Sequence, residues 1–259
     1  MRLRPISRRA ALVCCAAFFL TGSAAAEEVR VMTSGGTAAA FVALAPEFEK
    51  ATGHKVVTLA TSTGLGADSI SSRVRRGEPV DVVILSRAQI DELAGEGKVV
   101  AASGVDLARS SIGMAVRKGA AKQDISTVDA LKRALLQARS VAYSAQVSGI
   151  YLTTELFPRL GIADQMTKKG IRVDVGRVGA VVARGEAEIG FQQISELMEV
   201  EGVDLVGPLP AEIQRVTVFT AGIAVGSKSP GAARALIEFL TSSRGTEVMK
   251  KGGLEPIAR

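Results

Sequence analysis

Short uninterrupted apolar runs alternate along this chain with longer stretches whose apolar residues recur at helical spacing. Residues 29–33 read as a buried strand. Residues 37–51 read as a helix with Phe41, Leu44, Ala45 and Phe48 on one face, and residues 55–60 as the next strand; strand, helix, strand is the unit of a parallel sheet. Residues 81–85 predict a third strand, 89–95 a helix, and 108–117 a strand able to leave the first unit. A second series then follows. It has helices at 128–138 and 149–160, strands at 140–144 and 171–175, a return strand at 216–225, and closing helices at 230–240 and 244–250.

The tripeptide Arg-Gly-Glu occurs at Arg76-Gly77-Glu78 and again at Arg184-Gly185-Glu186, each time between a helix-like run and an apolar strand-like run. A glycine just past a helix fits the left-handed cap that ends it. The echo, with the two strand-helix series, predicts an α/β fold of two similar lobes, each a mixed, mostly parallel sheet flanked by helices. The boundaries are residues 27–110 with 222–259 returning for lobe one, and 111–221 for lobe two. No low-complexity linker separates them, so the chain is expected to cross twice through ordered strands.

Residues 1–26 form a segment apart. Arg2, Arg4, Arg8 and Arg9 precede an apolar stretch from Ala10 to Leu20, too short to span a bilayer, and Ala24-Ala25-Ala26 offers a small-residue cleavage site. This predicts an export signal cleaved after Ala26 and a periplasmic protein. Without those four arginines the formal charge falls from +6 to +2. The remaining chain has no Trp, only Tyr143 and Tyr151, and no basic run with interleaved aromatics, which argues against nucleic acid as a partner. Both cysteines, Cys14 and Cys15, lie in the signal, so neither a disulfide nor a thiolate metal site is expected.

In open α/β sheets, ligands sit beyond the carboxyl ends of the strands, where helix N-termini present amide hydrogens and partial positive charge. Small hydroxyls and glycines crowd those ends here: Thr33-Ser34-Gly35, Ser62-Thr63, Ser86-Arg87, Ser148-Gly149, Val178-Gly179 and Gln192-Gln193. Their recurrence describes an anion pocket, with Arg87 placed to pair bidentately with a carboxylate. Thr33-Ser34-Gly35-Gly36 departs from both dinucleotide and Walker patterns. A single histidine, His54, cannot build a Ser-His-Asp triad or a histidine-based metal site, and no cofactor or metal is expected. Acid-base chemistry would fall to Glu196, Tyr151 or Asp68.

These residues resemble the periplasmic molybdate-binding proteins of ABC importers and the wider type II class of two-lobed solute-binding proteins. The resemblance rests on Thr33-Ser34-Gly35, 48–53, Ser62-Thr63, 77–81, Ser148-Gly149-Ile150-Tyr151 and 184–188. It implies a hinged clam that holds an oxyanion by neutral donors matching Ser34, Ser62 or Thr63, and amides near Ser148 and Val178. In that family a tyrosine commonly stands where this chain has Gln193, and an acidic residue near Arg87. The chain is also similar to periplasmic aconitate isomerase, an enzyme on the same scaffold. The expected function is therefore capture of a small anion, a carboxylate or molybdate-like oxyanion, by a monomer that serves an ABC permease. The alternative is isomerisation of a small tricarboxylate; the receptor comes first because the sequence shows no strongly activated base.

Overall fold

The computed structural model describes residues 26–59 and 66–257. The signal read over 1–26 therefore falls outside them except for Ala26, as do the expected ligand residues Ser62 and Thr63.

The chain opens with β1 (Glu28–Thr33), α1 (Gly35–Thr52), β2 (Lys55–Thr58), α2 (Ile70–Arg75), β3 (Val82–Ser86), α3 (Arg87–Gly95) and β4 (Val105–Ser110). It continues through β5 (Ile112–Arg117), α4 (Val128–Gln137), β6 (Val141–Ser144), α5 (Val147–Tyr151), a π-helical turn at Leu152–Leu156, α6 (Phe157–Arg159), α7 (Ala163–Lys169) and β7 (Gly170–Val173). After α8 (Val178–Ala183), β8 (Ile189–Gln193), α9 (Ile194–Met198) and β9 (Val203–Pro208) it closes with β10 (Thr217–Ile223), α10 (Pro230–Leu240), α11 (Ser243–Lys251) and β11 (Glu255–Pro256).

Two mixed sheets result, ordered β11-β4-β10-β3-β1-β2 and β7-β6-β8-β5-β9. The β2-β1-β3 and β7-β6-β8 portions are parallel, the products of strand-helix-strand units, whereas β10, β4 and β11 in the first sheet and β5 and β9 in the second pair antiparallel. Both faces of each sheet are covered, which is why the strands read as continuous apolar runs. Val29 and Val31 of β1 turn into a core shared with Phe41, Phe48, Leu236 and Met249, while Met32 turns to the opposite face with Ile70, Val74 and Leu93. In the second sheet Met114 and Phe191 pack with Leu131 and Phe157, and Ala142 packs with Val178 and Val182.

The repeated Arg-Gly-Glu is one helix stop used twice. Gly77 and Gly185 have φ of 78° and 76°. The N–H of Glu78 reaches Arg73 O and that of Gly77 reaches Val74 O; Glu186 and Gly185 make the same pair of bonds to Val181 and Val182. This is the Schellman arrangement, which uses up the last helical carbonyls before the chain enters β3 or β8.

The single strand expected over 108–117 is two strands, because Ser111 separates β4 of the first sheet from β5 of the second. The return crossing also lies earlier than a boundary at 222: β10 is paired with β3 and β4 from Thr217 onward, so the chain re-enters lobe one through residues 209–216. Gln214 ties the crossings together. Its carboxamide accepts from Ile112 N and donates to Ile112 O, both at 2.9 Å. On the far side of lobe one, Asp81 accepts from Arg30 N, Ser227 Oγ, Lys228 N and Ser229 N, and these bonds hold its carboxyl below the usual range against the opposing effect of burial. His54 sits at the entrance to β2, stacked on Phe48.

Candidate functional site

Between the lobes lies a cleft of about 800 Å³. Ser34 and Gly36 at the start of α1, the N-terminal turn of α2, and Ser86 to Gln89 line it from lobe one; Gln146 to Ser148, Tyr151, Gln193 and Glu196 line it from lobe two, and Arg215 to Phe219 from the return crossing. Ser34 has extended backbone and leaves its hydroxyl uncommitted to capping, so the amide end of the 18-residue helix α1 opens toward the cavity. Ser148, only 2% exposed, sits on the opposite wall. Its neighbour Gly149 lets α5 settle on β6, since a Cβ there would lie 1.5 Å from Ser144 O. Gly149→Ala should therefore cost about 3 kcal/mol or more, the upper range for overpacking, read as a lowered urea midpoint.

Two buried polar atoms of cavity-lining residues have no hydrogen-bond partner among the described residues: Ser71 Oγ and Gln193 Oε1. The other side of the Gln193 amide donates to Thr217 Oγ1 at 2.9 Å, across the two lobes. Such atoms are expensive to leave unpaired in a folded protein, so they mark places where a bound molecule or water completes the structure.

Several expected site residues take other roles. Thr33 is buried behind the cleft against Thr37 Oγ1, and Gly35 begins α1 without lining the cavity. The N–H of Val178 is taken by Gln192 Oε1 at 2.9 Å, and Gly179 packs against Val200. Ser86 lines the cleft but donates its proton to Gln89 Oε1. Arg87 is not a free rim cation: its guanidinium pairs with Asp106 on β4 and with Asp91 one turn along α3. The cleft's other guanidinium groups are paired as well, Arg75 with Glu92 and Glu96, Arg215 with Glu155. Sequence reasoning missed Ser69, Ser71 and Ser72, although the serine-rich start of a helix is the same signal that marks Ser34. Arg215 and Thr217 gave no local signal because their placement depends on where the chain returns.

The candidate bases separate clearly. Asp68 is exposed and off the cavity wall. Tyr151 donates its hydroxyl to Ile213 O at 2.6 Å beneath the Arg215 guanidinium, and burial raises its pKa further from neutrality. Glu196 is different. It lines the cleft, is 7% exposed, and burial pushes its carboxyl up to about 7 despite the nearby Arg177 guanidinium; Glu199 adds to the rise and a hydrogen bond from Gln192 opposes it. α9, which carries it, is fastened to lobe one by Ser195 Oγ donating to Gly36 O at 2.8 Å.

The chain is 43% identical over 228 residues to an aconitate isomerase from a Pseudomonas species, covering 88% of this chain and 87% of that one. It is 27% identical over 231 residues to the molybdate-binding protein ModA of Azotobacter vinelandii, covering 87% and 89%. Among solved structures, the sulfate-binding protein SubI of Mycobacterium tuberculosis H37Rv superposes with a TM-score of 0.70 at 19% identity, over 90% of this chain and 87% of that one, a likeness of fold. A family profile, bacterial extracellular solute-binding protein, matches residues 29–255, and this chain belongs to that family.

Proposed function

We propose that the cleft binds a small polycarboxylate and that the protein shifts its double bond, acting as an aconitate isomerase with Glu196 as the proton-transfer base. The observation that carries this reading is Glu196 itself: a carboxyl on the cavity wall, buried, with a pKa of about 7. A general base works best when its pKa is near the operating pH, and burial beside few compensating charges is how a glutamate reaches that value. In the reaction a proton leaves the methylene carbon, and its electron pair enters the conjugated double bond and carboxylate. A proton is then restored at the far carbon, so the formula is unchanged and cis becomes trans. Negative charge grows on the carboxylates in between, where Ser34 and the amide end of α1 are placed to stabilise it. The relative at 43% identity supports the same reading.

A second reading keeps the ligand and removes the chemistry: a receptor that hands a small anion to a membrane importer. The family, the ModA relative and the serine-lined walls support it. Incubating the purified protein with cis-aconitate and following the trans isomer by proton NMR decides between them, with calorimetry of citrate, aconitate, molybdate and sulfate run in parallel. Catalytic interconversion is the expected result. Tight molybdate or sulfate binding with no turnover would overturn the isomerase.

A further inference from the structure

The carboxamide of Gln192 can stand only one way round. The N–H of Val178 can only donate, and it reaches Gln192 Oε1 at 2.9 Å, so the amide nitrogen is turned toward Glu196 and donates to its Oε1 at 2.9 Å. Gln192 is 1% exposed, so both bonds are made out of bulk solvent. Oε2 of Glu196 has no hydrogen-bond partner among the described residues. The charged groups around this carboxyl are Arg177, whose guanidinium lies 3.4 Å from the Glu196 carbonyl oxygen, and Glu199, which pairs with Arg177.

We infer that Gln192 is a positioning residue: it keeps Oε1 of Glu196 a permanent acceptor, so that the carboxyl gains and loses its proton at Oε2 alone. A neutral carboxyl offers one carbonyl-like oxygen and one hydroxyl, and a fixed N–H donor selects the first for itself. The proton then sits on the oxygen that the protein leaves unoccupied. The same bond favours the ionised form and so lowers the pKa against the effect of burial.

The consequence for catalysis rests on the isomerase reading, but the titration can be measured without it. Protein carrying 13Cδ-labelled glutamate, free of ligand, should show Glu196 titrating near 7, and Gln192→Met should raise that midpoint by about one unit. The turnover number at pH 7 should then fall about fivefold with KM within about twofold, since raising the midpoint by one unit from about 7 lowers the ionised fraction of the base from about one half to about one tenth. Gln192→Glu separates positioning from mere packing. Its protonated form accepts from Val178 and donates to Glu196, so turnover relative to the parent at the same pH should recover toward acidic pH and be lost toward alkaline pH, and this variant carries the test if the Met variant fails to fold. An unchanged Glu196 midpoint in Gln192→Met, or a pH-independent loss in Gln192→Glu, overturns the inference. Absence of aconitate turnover in the parent overturns the isomerase reading and leaves the titration to decide the role of Gln192.

Discussion

Glu196→Gln should slow isomerisation by about 10²–10⁴-fold, the usual worth of a positioned general base, while ligand affinity stays within a few-fold. Glutamine keeps the shape and an oxygen able to accept from Gln192, so the cavity wall is preserved and only the proton acceptor is lost. The loss should appear in the turnover number and in kcat/KM alike, the pattern of an interaction made in the transition state. Parent activity should rise with pH through about 7 as the carboxyl ionises. Steady-state rates across pH, with calorimetry of a non-reacting tricarboxylate, check both parts; an equal fall in affinity would assign Glu196 to binding instead of chemistry.

The same substitution should stabilise the protein at alkaline pH. Burial raises the Glu196 pKa from 4.5 to about 7 in the folded state. Below 4.5 both folded and unfolded chains hold the proton, and the group makes no difference. Between 4.5 and about 7 the unfolded chain has released the proton while the folded one retains it, so stability falls as pH rises. Above that interval the folded protein carries a buried charge at a cost of about 3 kcal/mol. Urea unfolding of parent and Glu196→Gln should therefore give similar midpoints near pH 4 and a more stable variant at pH 8. A constant difference at both pH values would show that the carboxyl is not the source. Other groups, such as Asp81, are common to both proteins and cancel in the comparison.

Much of the fold was legible because its devices are local. Gly77 and Gly185 announce helix stops that need no tertiary context, and small hydroxyls after strands place Ser34 and Ser148 on the cleft. The break at Ser111 was hidden because β4 and β5 follow one another with a single residue between them, and a strand-like stretch does not record which sheet each half joins. Arg87 lines the cleft as expected, but its ion pairing was hidden for a similar reason. Its partner Asp106 lies 19 residues away on a strand whose register is set by β10. Glu196 was one of three candidate bases by its place after a strand, but nothing local distinguishes it from Tyr151 and Asp68. Its burial, and with it the raised pKa, comes only where α9 is fastened to the start of α1. A pKa is a property of the surroundings, and those arrive with tertiary structure.

The order of strands also sets an order of assembly. All five strands of the second sheet lie within residues 112–208, so that lobe holds its whole sheet before the C-terminus has been synthesised. The first sheet must wait: β10, the strand between β3 and β4, is supplied only by residues 217–223. Until it arrives, β3 and β4 present unpaired edges, the surfaces most prone to pair with the wrong chain. Nascent or truncated chains ending before Thr217 should therefore be the aggregation-prone species of this protein, and its slow folding phase should report insertion of a central strand from a distant part of the chain.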